Sequence, residues 1–202
     1  MLKKIFICSL ALLFYLICAP INAQDKQNIH LPKEVLSYLN NLQSLQTTFL
    51  QSESKNTPVQ GELWIKKPGK MKFFQKTPTP FVVYAKENNV ILHDVEIDEI
   101  SYMDFDDVPF RFLFEPHFDW EEEIEIIKID TSPEKYHIFL KDKKTKQTLQ
   151  LIFTRNPVEL LGCISIEEGG DPIHIEFTHP QKNIYIPDSV FNWPQELTPG
   201  YR

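Results

Sequence analysis

The stretch GELWIKKPGKMKFFQK, residues 61–76, decides the fold because it predicts two strands joined by a tight turn. Apolar side chains alternate with polar ones on both sides of KKPGK, which is the period-two pattern of strands with one buried face. The large apolar side chains that share one face are Leu63, Ile65, Met71 and Phe73. Lys67 falls on that same face, whereas a turn lysine in a soluble hairpin normally points to water. Lys67 is therefore a candidate functional residue.

A helix followed by a strand precedes this hairpin. Pro32 suits a first helical turn, and Glu34 suits the positive end of a helix. Apolar side chains then recur at helical spacing at Val35, Leu36, Leu39 and Leu42. From residue 45 the spacing changes to two, so that one face carries Leu45, Thr47, Phe49 and Gln51. The sequence predicts a helix to about Leu42 and a strand after it.

Strands dominate the remainder of the chain. The candidates are short, rich in Val, Ile, Phe and Tyr, and separated by turn signals such as TPTP, DTSPE and EEGGDP. They span residues 59–67, 70–76, 80–86, 89–94, 98–104, 122–130, 135–142, 146–154, 158–167 and 172–178. Sequential strands joined by short turns pair antiparallel. About ten of them in one chain predict a β-sandwich or a strongly curled sheet.

One segment, DVPFRFLFEPHFDW (107–120), interrupts the strand pattern. Phe110, Leu113 and Phe114 lie at helical spacing, and Pro116 ends the run because the residue before a proline avoids the helical region. The segment predicts one or two helical turns. A short and very apolar helix between strands typically plugs or caps an apolar space. The EEE that follows, 121–123, is predicted to begin the next strand as a solvated edge.

The N-terminus has the features of a secretory signal peptide. Lys3 and Lys4 precede an unbroken apolar run from Ile5 to Cys18, which is shorter than the roughly 20 residues of a membrane-spanning helix. Cleavage after Ala23 is expected, with an uncleaved anchor as the alternative. We therefore expect a signal peptide over 1–23 and a single domain over 24–202.

Composition excludes some classes of function. The chain has a net charge of −7, and it becomes more acidic once the two signal-peptide lysines are removed, so electrostatic binding to nucleic acid is not expected. After cleavage only Cys163 remains, which excludes an intrachain disulfide and offers no zinc-site spacing. It lies in the apolar run LLGCISI, where cysteine is usually a small buried residue.

No catalytic motif is visible, and we predict neither an enzyme nor a cofactor. His93 and Asp94 would face opposite sides of a strand, and His174 with Glu176 would lie on a solvent side. The abundance of aromatic residues, with 15 Phe, 7 Tyr and 3 Trp, has two explanations that both stay open. The aromatic side chains either fill an ordinary core or line an apolar ligand cavity in a curled sheet.

The hairpin motif GELWIKKPGKMKF resembles the outer-membrane lipoprotein carrier family, LolA. Members carry G-E-L-W, an aliphatic residue and K-R-P at this place, after a helix and a strand similar to TTFLQ. Downstream, VPFRFLF is similar to the short helix of the family, FDW to its entry into the next strand, and IYIPDSVFNWPQ to its closing segment. The resemblance covers roughly residues 31–195.

The resemblance implies a mainly β fold, an unclosed antiparallel β-barrel of about eleven strands with short α-helices forming a lid over an apolar cavity. It implies a monomeric periplasmic chaperone that carries lipoproteins to the outer membrane by shielding their acyl chains. An inner-membrane ABC-type lipoprotein-releasing complex would load it, and an outer-membrane lipoprotein acceptor would unload it. No cofactor is implied.

The resemblance also implies site residues. Lys67 takes the place of the family arginine that holds the lid, and it would gate the lid with fewer and less directional donors. The acyl-chain cavity would be lined by Leu39, Leu42, Leu63, Ile65, Met71, Phe73, Val83, Phe110, Leu113 and Phe114. The family's SDG is AKENN here, and its following aromatic is replaced by ILHD.

Other functions are compatible with the same fold. One is a periplasmic carrier of free lipid or glycolipid, because cargo types that share acyl chains cannot be separated by sequence. Another is a lipoprotein-sensing regulator, which usually carries a second domain. A few LolA-like folds are enzymes, but no convergent polar groups are visible here.

Overall fold

The structure, a computed structural model, describes residues 29–53, 57–86, 89–108, 110–116, 118–166 and 170–193. The expected signal peptide, residues 1–23, lies outside the described residues, so its cleavage stays a prediction. In the described ranges, none of the helices combines the length and the apolar content needed to cross a membrane.

Eleven strands form one antiparallel sheet in the part of the chain that the structure describes. They are β1 Ser44–Ser52, β2 Val59–Lys66, β3 Lys70–Thr77, β4 Phe81–Lys86, β5 Asn89–Asp94, β6 Glu99–Met103, β7 Ile124–Thr131, β8 Lys135–Asp142, β9 Thr148–Thr154, β10 Leu160–Ile166 and β11 Ile173–Lys182. The helices are α1 Lys33–Asn41 and α2 Trp120–Glu123, with 3₁₀ turns at Phe105–Asp107, Arg111–Leu113 and Asp188–Phe191.

The strand order is β6-β5-β4-β3-β2-β1-β11-β10-β9-β8-β7, so two meanders join where the first strand pairs with the last. Strands β6 and β7 form the edges of the described sheet and are not paired with each other. The sheet is therefore curled but not closed, with few helices, which confirms the predicted mainly β, unclosed fold.

The period-two pattern places one face of the sheet around a large apolar core. In β2, Leu63 and Ile65 are fully buried, and in β8 the buried residues are again every second one. Gly61 is required at the start of the hairpin, because a Cβ there would lie 2.3 Å from the ring of Phe49. That ring stacks on Phe73 with 4.5 Å between the centroids. The motif glycine thus makes room for an aromatic pair inside the sheet.

A second apolar cluster lies on the outer face. Strand β4 has four consecutive buried residues, because its odd and even side chains are both covered. The C-terminal cover, residues 184–193, supplies the outer contacts, with Phe191 fully buried and Asp188 bound by Lys66 and Lys70. Neither Val82 nor Tyr84 belongs to the inner core. The cover was not predicted as a layer of the fold.

Two details of the predicted elements differ from the structure. The EEE stretch was predicted to begin a strand, but it forms the short helix α2, because the carboxylate of Asp119 accepts hydrogen bonds from the backbone N–H groups of Glu121 and Glu122. Strand β11 continues to Lys182, beyond the predicted end at residue 178, because its last residues still pair with β1. The helical turns predicted around residues 110–114 are present as a 3₁₀ turn.

Candidate functional site

An apolar cavity of about 290 Å³ lies within the curl of the sheet. Its wall includes Met71 and Phe73 of β3, Val83 of β4 and Phe110 of the interrupting segment. Most of the lining is apolar, and the polar exceptions are amides and one hydroxyl. These four named residues belong to the ten that were predicted to line an acyl-chain cavity.

The other six predicted residues are packed in the apolar core and do not line this cavity. They are all almost completely buried and comprise Leu39, Leu42, Leu63, Ile65, Leu113 and Phe114. All ten predicted residues belong to, or pack against, the same apolar cluster. Four of the ten therefore line the cavity, and the other six are buried elsewhere in the same apolar cluster.

A larger hollow of about 710 Å³ lies elsewhere, between the start of α1 and the edge strand β7. Its lining mixes Ile29 and Trp120 with charged Glu121 and Lys143. It lies against a sheet edge instead of inside the curl, so the smaller cavity is the better candidate for shielding apolar ligands.

Lys67 fastens the end of helix α1. Its Nζ donates a hydrogen bond to the carbonyl oxygen of Leu39 at 3.1 Å, and its backbone N–H donates to the carbonyl of Gln43 at 2.8 Å. The side chain is half-buried, and burial lowers the pKa of the Lys67 ammonium because desolvation disfavours the charged form. The lysine on the apolar face of the hairpin therefore points to a helix end.

The same turn also binds the interrupting segment. We call residues 110–116 the plug. The backbone N–H of Gly69 donates to the carbonyl of Phe114 at 2.6 Å. Two residues of the KKPGK turn thus contact the two elements, α1 and the plug, that pack over the inner face of the sheet.

Helix α1 has further polar contacts at both ends. The hydroxyl of Tyr136 donates to the carboxylate of Glu34, and this hydrogen bond lowers the pKa of Glu34. At the other end, Nδ2 of Asn183 donates to the carbonyl of Asn41 at 3.1 Å. The helix therefore rests on a few individual hydrogen bonds in addition to its apolar face.

The plug is held by a buried ion cluster around Arg111. Its Nε and Nη2 donate to Oδ2 of Asp142 at 3.1 and 2.7 Å, and its Nη1 donates to Glu123 at 3.0 Å and to Glu115. Burial opposes the charged guanidinium, but the hydrogen bonds to Glu123 and Asp142 outweigh it and raise the pKa of Arg111. Burial raises the pKa of Glu115. One cation thus ties the plug to α2 and to the β8–β9 turn.

The Arg111 cluster was missed by the sequence prediction. The available signal was the isolated arginine inside the apolar run VPFRFLF, because a cation buried among apolar side chains has to be paired. Its partners come from residues up to 31 positions away, and no local pattern identifies them.

The other predicted candidates are placed apart from the cavity. His174 and Glu176 are exposed on β11, as expected for a solvent side. His93 has its Nε2 2.9 Å from a carboxylate oxygen of Asp98. Cys163 is buried, which raises the pKa of its thiol. Within the described ranges, no group of three or more His, Cys, Asp or Glu residues is arranged to hold a metal ion.

Comparison with known proteins places this architecture in a family. The family described as outer membrane lipoprotein carrier protein LolA matches residues 40–194. A Rickettsia prowazekii (strain Madrid E) protein, uncharacterized protein RP864, is 24% identical over 184 residues, which cover 90% of this chain and 85% of that protein.

Solved structures are similar at low sequence identity. An uncharacterized conserved protein from Thermus thermophilus has a TM-score of 0.51 and 11% identity, over 81% of this chain and 94% of that one. The LolA superfamily protein NE2245 from Nitrosomonas europaea has a TM-score of 0.45 and 8% identity, over 76% and 91%. Since the family match includes the KKPGK hairpin, the plug and every strand of the sheet from β1 to β11, the chain belongs to the LolA family of outer-membrane lipoprotein carrier proteins.

Proposed function

We propose that the protein is a periplasmic chaperone that carries lipoproteins from the inner membrane to the outer membrane and shields their acyl chains in the cavity. The supporting observation is the apolar cavity inside the curl of the sheet, which is lined in part by Phe110 of the plug. In this proposal residues 1–23 direct export to the periplasm, and 24–202 form the carrier domain.

The size of the cavity requires a moving cover. The volume of about 290 Å³ lies just below the roughly 300–1,000 Å³ typical of small-molecule sites. A lipoprotein with several long acyl chains needs more space than this. The additional space would come from displacing α1, whose buried side chains Val35, Tyr38 and Leu39 occupy the inner face. In this proposal the packing of α1 on the inner face is the closed position of the cover.

Closure also explains how a carrier could release its cargo. Each buried methylene contributes about 0.8 kcal/mol, so several acyl chains in an open pocket would bind too tightly to leave. Packing α1 into its own cavity competes with the cargo and lowers the net affinity. Lys67 would set this balance, because its hydrogen bond to Leu39 would be lost when α1 moves away from the sheet.

The partners follow from the proposed transport. An inner-membrane ABC-type complex would load the protein, and an outer-membrane acceptor would receive the lipoprotein. The protein would act as a monomer. It would need no cofactor, because carriage involves no covalent step.

The test is photocrosslinking from inside the cavity. A photoreactive residue replaces Phe73, and the protein is irradiated in its host, purified natively and examined by mass spectrometry. Crosslinks to acylated polypeptides support lipoprotein carriage, whereas crosslinks to free lipid alone favour the lipid or glycolipid carrier. The matched control replaces Phe74, whose side chain points to the opposite face of β3. Equal crosslinking from both positions, or no apolar adduct from Phe73, contradicts the cavity.

A further inference from the structure

The outer side of strands β2, β3 and β4 collects lysines from different parts of the sequence. In the register of the sheet, Lys72 lies opposite Trp64 and Tyr84, and every second residue of β3 counted from it points outward. The lysines of the neighbouring positions contact Glu62 or the C-terminal cover, which lie on this same side. The five lysines are Lys66, Lys70, Lys72, Lys76 and Lys86. We call them the basic face.

The basic face is positive although the chain as a whole is acidic. Within β2, β3, β4 and the C-terminal cover, the five lysines stand against two carboxylates, Glu62 and Asp188, which leaves an excess of three positive charges. The whole chain has a net charge of −7. Salt screens exposed charges over about 10 Å at 0.1 M ionic strength. A surface that touches the basic face therefore responds mainly to the local positive excess.

Two of these lysines lie over aromatic rings. Nζ of Lys72 is 5.2 Å from the centre of the Trp64 ring and 5.4 Å from the centre of the Tyr84 ring. Nζ of Lys66 is 5.8 Å from the centre of the Tyr185 ring. A lysine in this position joins an apolar stem to a cationic end, and such amphipathic side chains suit the boundary between water and a bilayer.

Two exposed tyrosines accompany the basic face. Tyr185 of the C-terminal cover is 85% exposed, and Tyr102 of β6 is 60% exposed. Tyr102 lies on the outer side because it pairs with Ile91, which in turn pairs with Tyr84. Tyrosine is enriched at the headgroup level of membranes, where its ring and its hydroxyl are both accommodated. Lysines alone would also suit an acidic protein surface, but lysines together with exposed tyrosines favour a bilayer.

From these features we infer that the basic face docks on a membrane surface that contains anionic phospholipids, with Tyr185 and Tyr102 at the level of the headgroups. The contact uses the outer side of the sheet and leaves the cavity on the inner side free. This inference goes beyond the proposed carriage of lipoproteins. It is tested without cargo, because the cavity takes no part in the contact.

Vesicle co-sedimentation of the mature chain, residues 24–202, tests this docking. The vesicles contain phosphatidylglycerol and phosphatidylcholine in equal amounts, or phosphatidylcholine alone. The anionic vesicles are expected to bind at least about tenfold more strongly, because each lysine near an anionic surface strengthens binding about fivefold. High salt should abolish the difference. Equal binding to both vesicles, or binding to neither, overturns the inference and leaves the proposed carriage untouched.

A matched pair of substitutions tests the assignment to this face. Lys76→Gln removes one charge from the basic face, so binding to the anionic vesicles should weaken about fivefold. Lys128→Gln is the control, because Lys128 also pairs with one carboxylate but lies on β7, the edge strand farthest from β6 in the strand order. The control should weaken binding less than about twofold, since its distance screens it. Equal weakening in both variants would show an effect of net charge and overturn the assignment.

A fluorescent label tests which side of the sheet touches the bilayer. Tyr185→Cys and Ile127→Cys are each labelled with an environment-sensitive dye, while the buried Cys163 should not react. Ile127 is exposed on β7 and is the control position. With anionic vesicles, the emission of the dye at position 185 should shift to shorter wavelength, and that at position 127 should stay unchanged. Equal shifts at both positions, or a shift at position 127 alone, overturn the inference.

Discussion

The two elements over the inner face, α1 and the plug, both bury apolar side chains, but the plug is in addition anchored by a buried ion cluster. The plug depends on the buried cation of Arg111, which contacts the carboxylates of Glu115, Glu123 and Asp142. Helix α1 depends on buried apolar side chains and on single hydrogen bonds at its ends. Acyl chains can replace apolar contacts, but they cannot replace the partners of a buried charge. In the proposed carrier, this difference predicts that acyl chains displace α1 and leave the plug in place.

The strongest challenge to this comparison is to remove the buried cation. Arg111→Met leaves three carboxylates around an apolar side chain, and breaking a buried ion cluster in this way costs about 3–5 kcal/mol. Urea unfolding should show this loss in the free energy of unfolding. Lys144→Met is the control, because the Lys144–Asp106 pair is exposed and an exposed ion pair contributes little to stability. Similar small losses in both variants would mean that the plug is not anchored by charge.

A truncation in α1 should act locally. Leu39→Ala removes an almost fully buried side chain and should cost about 2 kcal/mol, at the low end for such changes, because α1 can detach without unfolding the sheet. Hydrogen exchange of the α1 amides should accelerate while the amides of β8 and β9 keep their protection. Uniform acceleration across the sheet would show that α1 and the sheet unfold together.

Substitutions of Lys67 should change the equilibrium between the open and closed positions of α1, by less free energy than Leu39→Ala costs. Lys67→Leu removes the hydrogen bond to Leu39 and should destabilise closure by about 1 kcal/mol, so that cargo is taken up and poorly passed on. Lys67→Arg should strengthen closure, because its donors are fixed in a planar fork. Loading and transfer of a purified lipoprotein measure both effects. Wild-type transfer by Lys67→Leu would exclude the gating role.

The smallest expected effect concerns the exposed ion pairs of the C-terminal cover. Hydrogen bonds from Lys66 and Lys70 lower the pKa of Asp188 to about 2 from its usual 3.8. A lowered folded-state pKa stabilises the fold above about pH 4, and this contribution is lost as the pH falls towards about 2. Wild type and Asp188→Asn should therefore differ in urea midpoint at neutral pH, and this difference should vanish as the pH falls from about 4 to about 2. A difference in urea midpoint that does not change with pH would mean that the titration of Asp188 is not its cause.

Much of the local structure was predictable because it depends on neighbouring residues. The alternation in β2 and β3 assigned the inner face. The position of Lys67 in that alternation singled it out, and its Nζ contacts the end of α1, while its gating role stays a prediction. The N-terminal cap of α2 is also a local feature. Asp119 could have indicated a helix start, but the strand pattern of the residues that follow led to a predicted strand.

The sequence pattern could not predict contacts between residues that are far apart in the chain. The partner of Arg111 in the β8–β9 turn depends on how the sheet curls, and the cover over β4 depends on where the chain goes after β11. The polar side chains that line the cavity, Gln51, Gln75, Gln147 and Ser165, come from distant parts of the chain, and only the strand order shows that they lie at the same end of the sheet.

The pairing of β1 with β11 has a consequence for the speed of folding. Thr48 and Thr178, whose hydroxyls lie 2.5 Å apart, are separated by 130 residues of chain. Each meander consists of nearest-neighbour hairpins and can form early, whereas the seam between them requires closure of a very long loop. High contact order slows folding, so the continuous sheet is expected to assemble late, after both halves are complete.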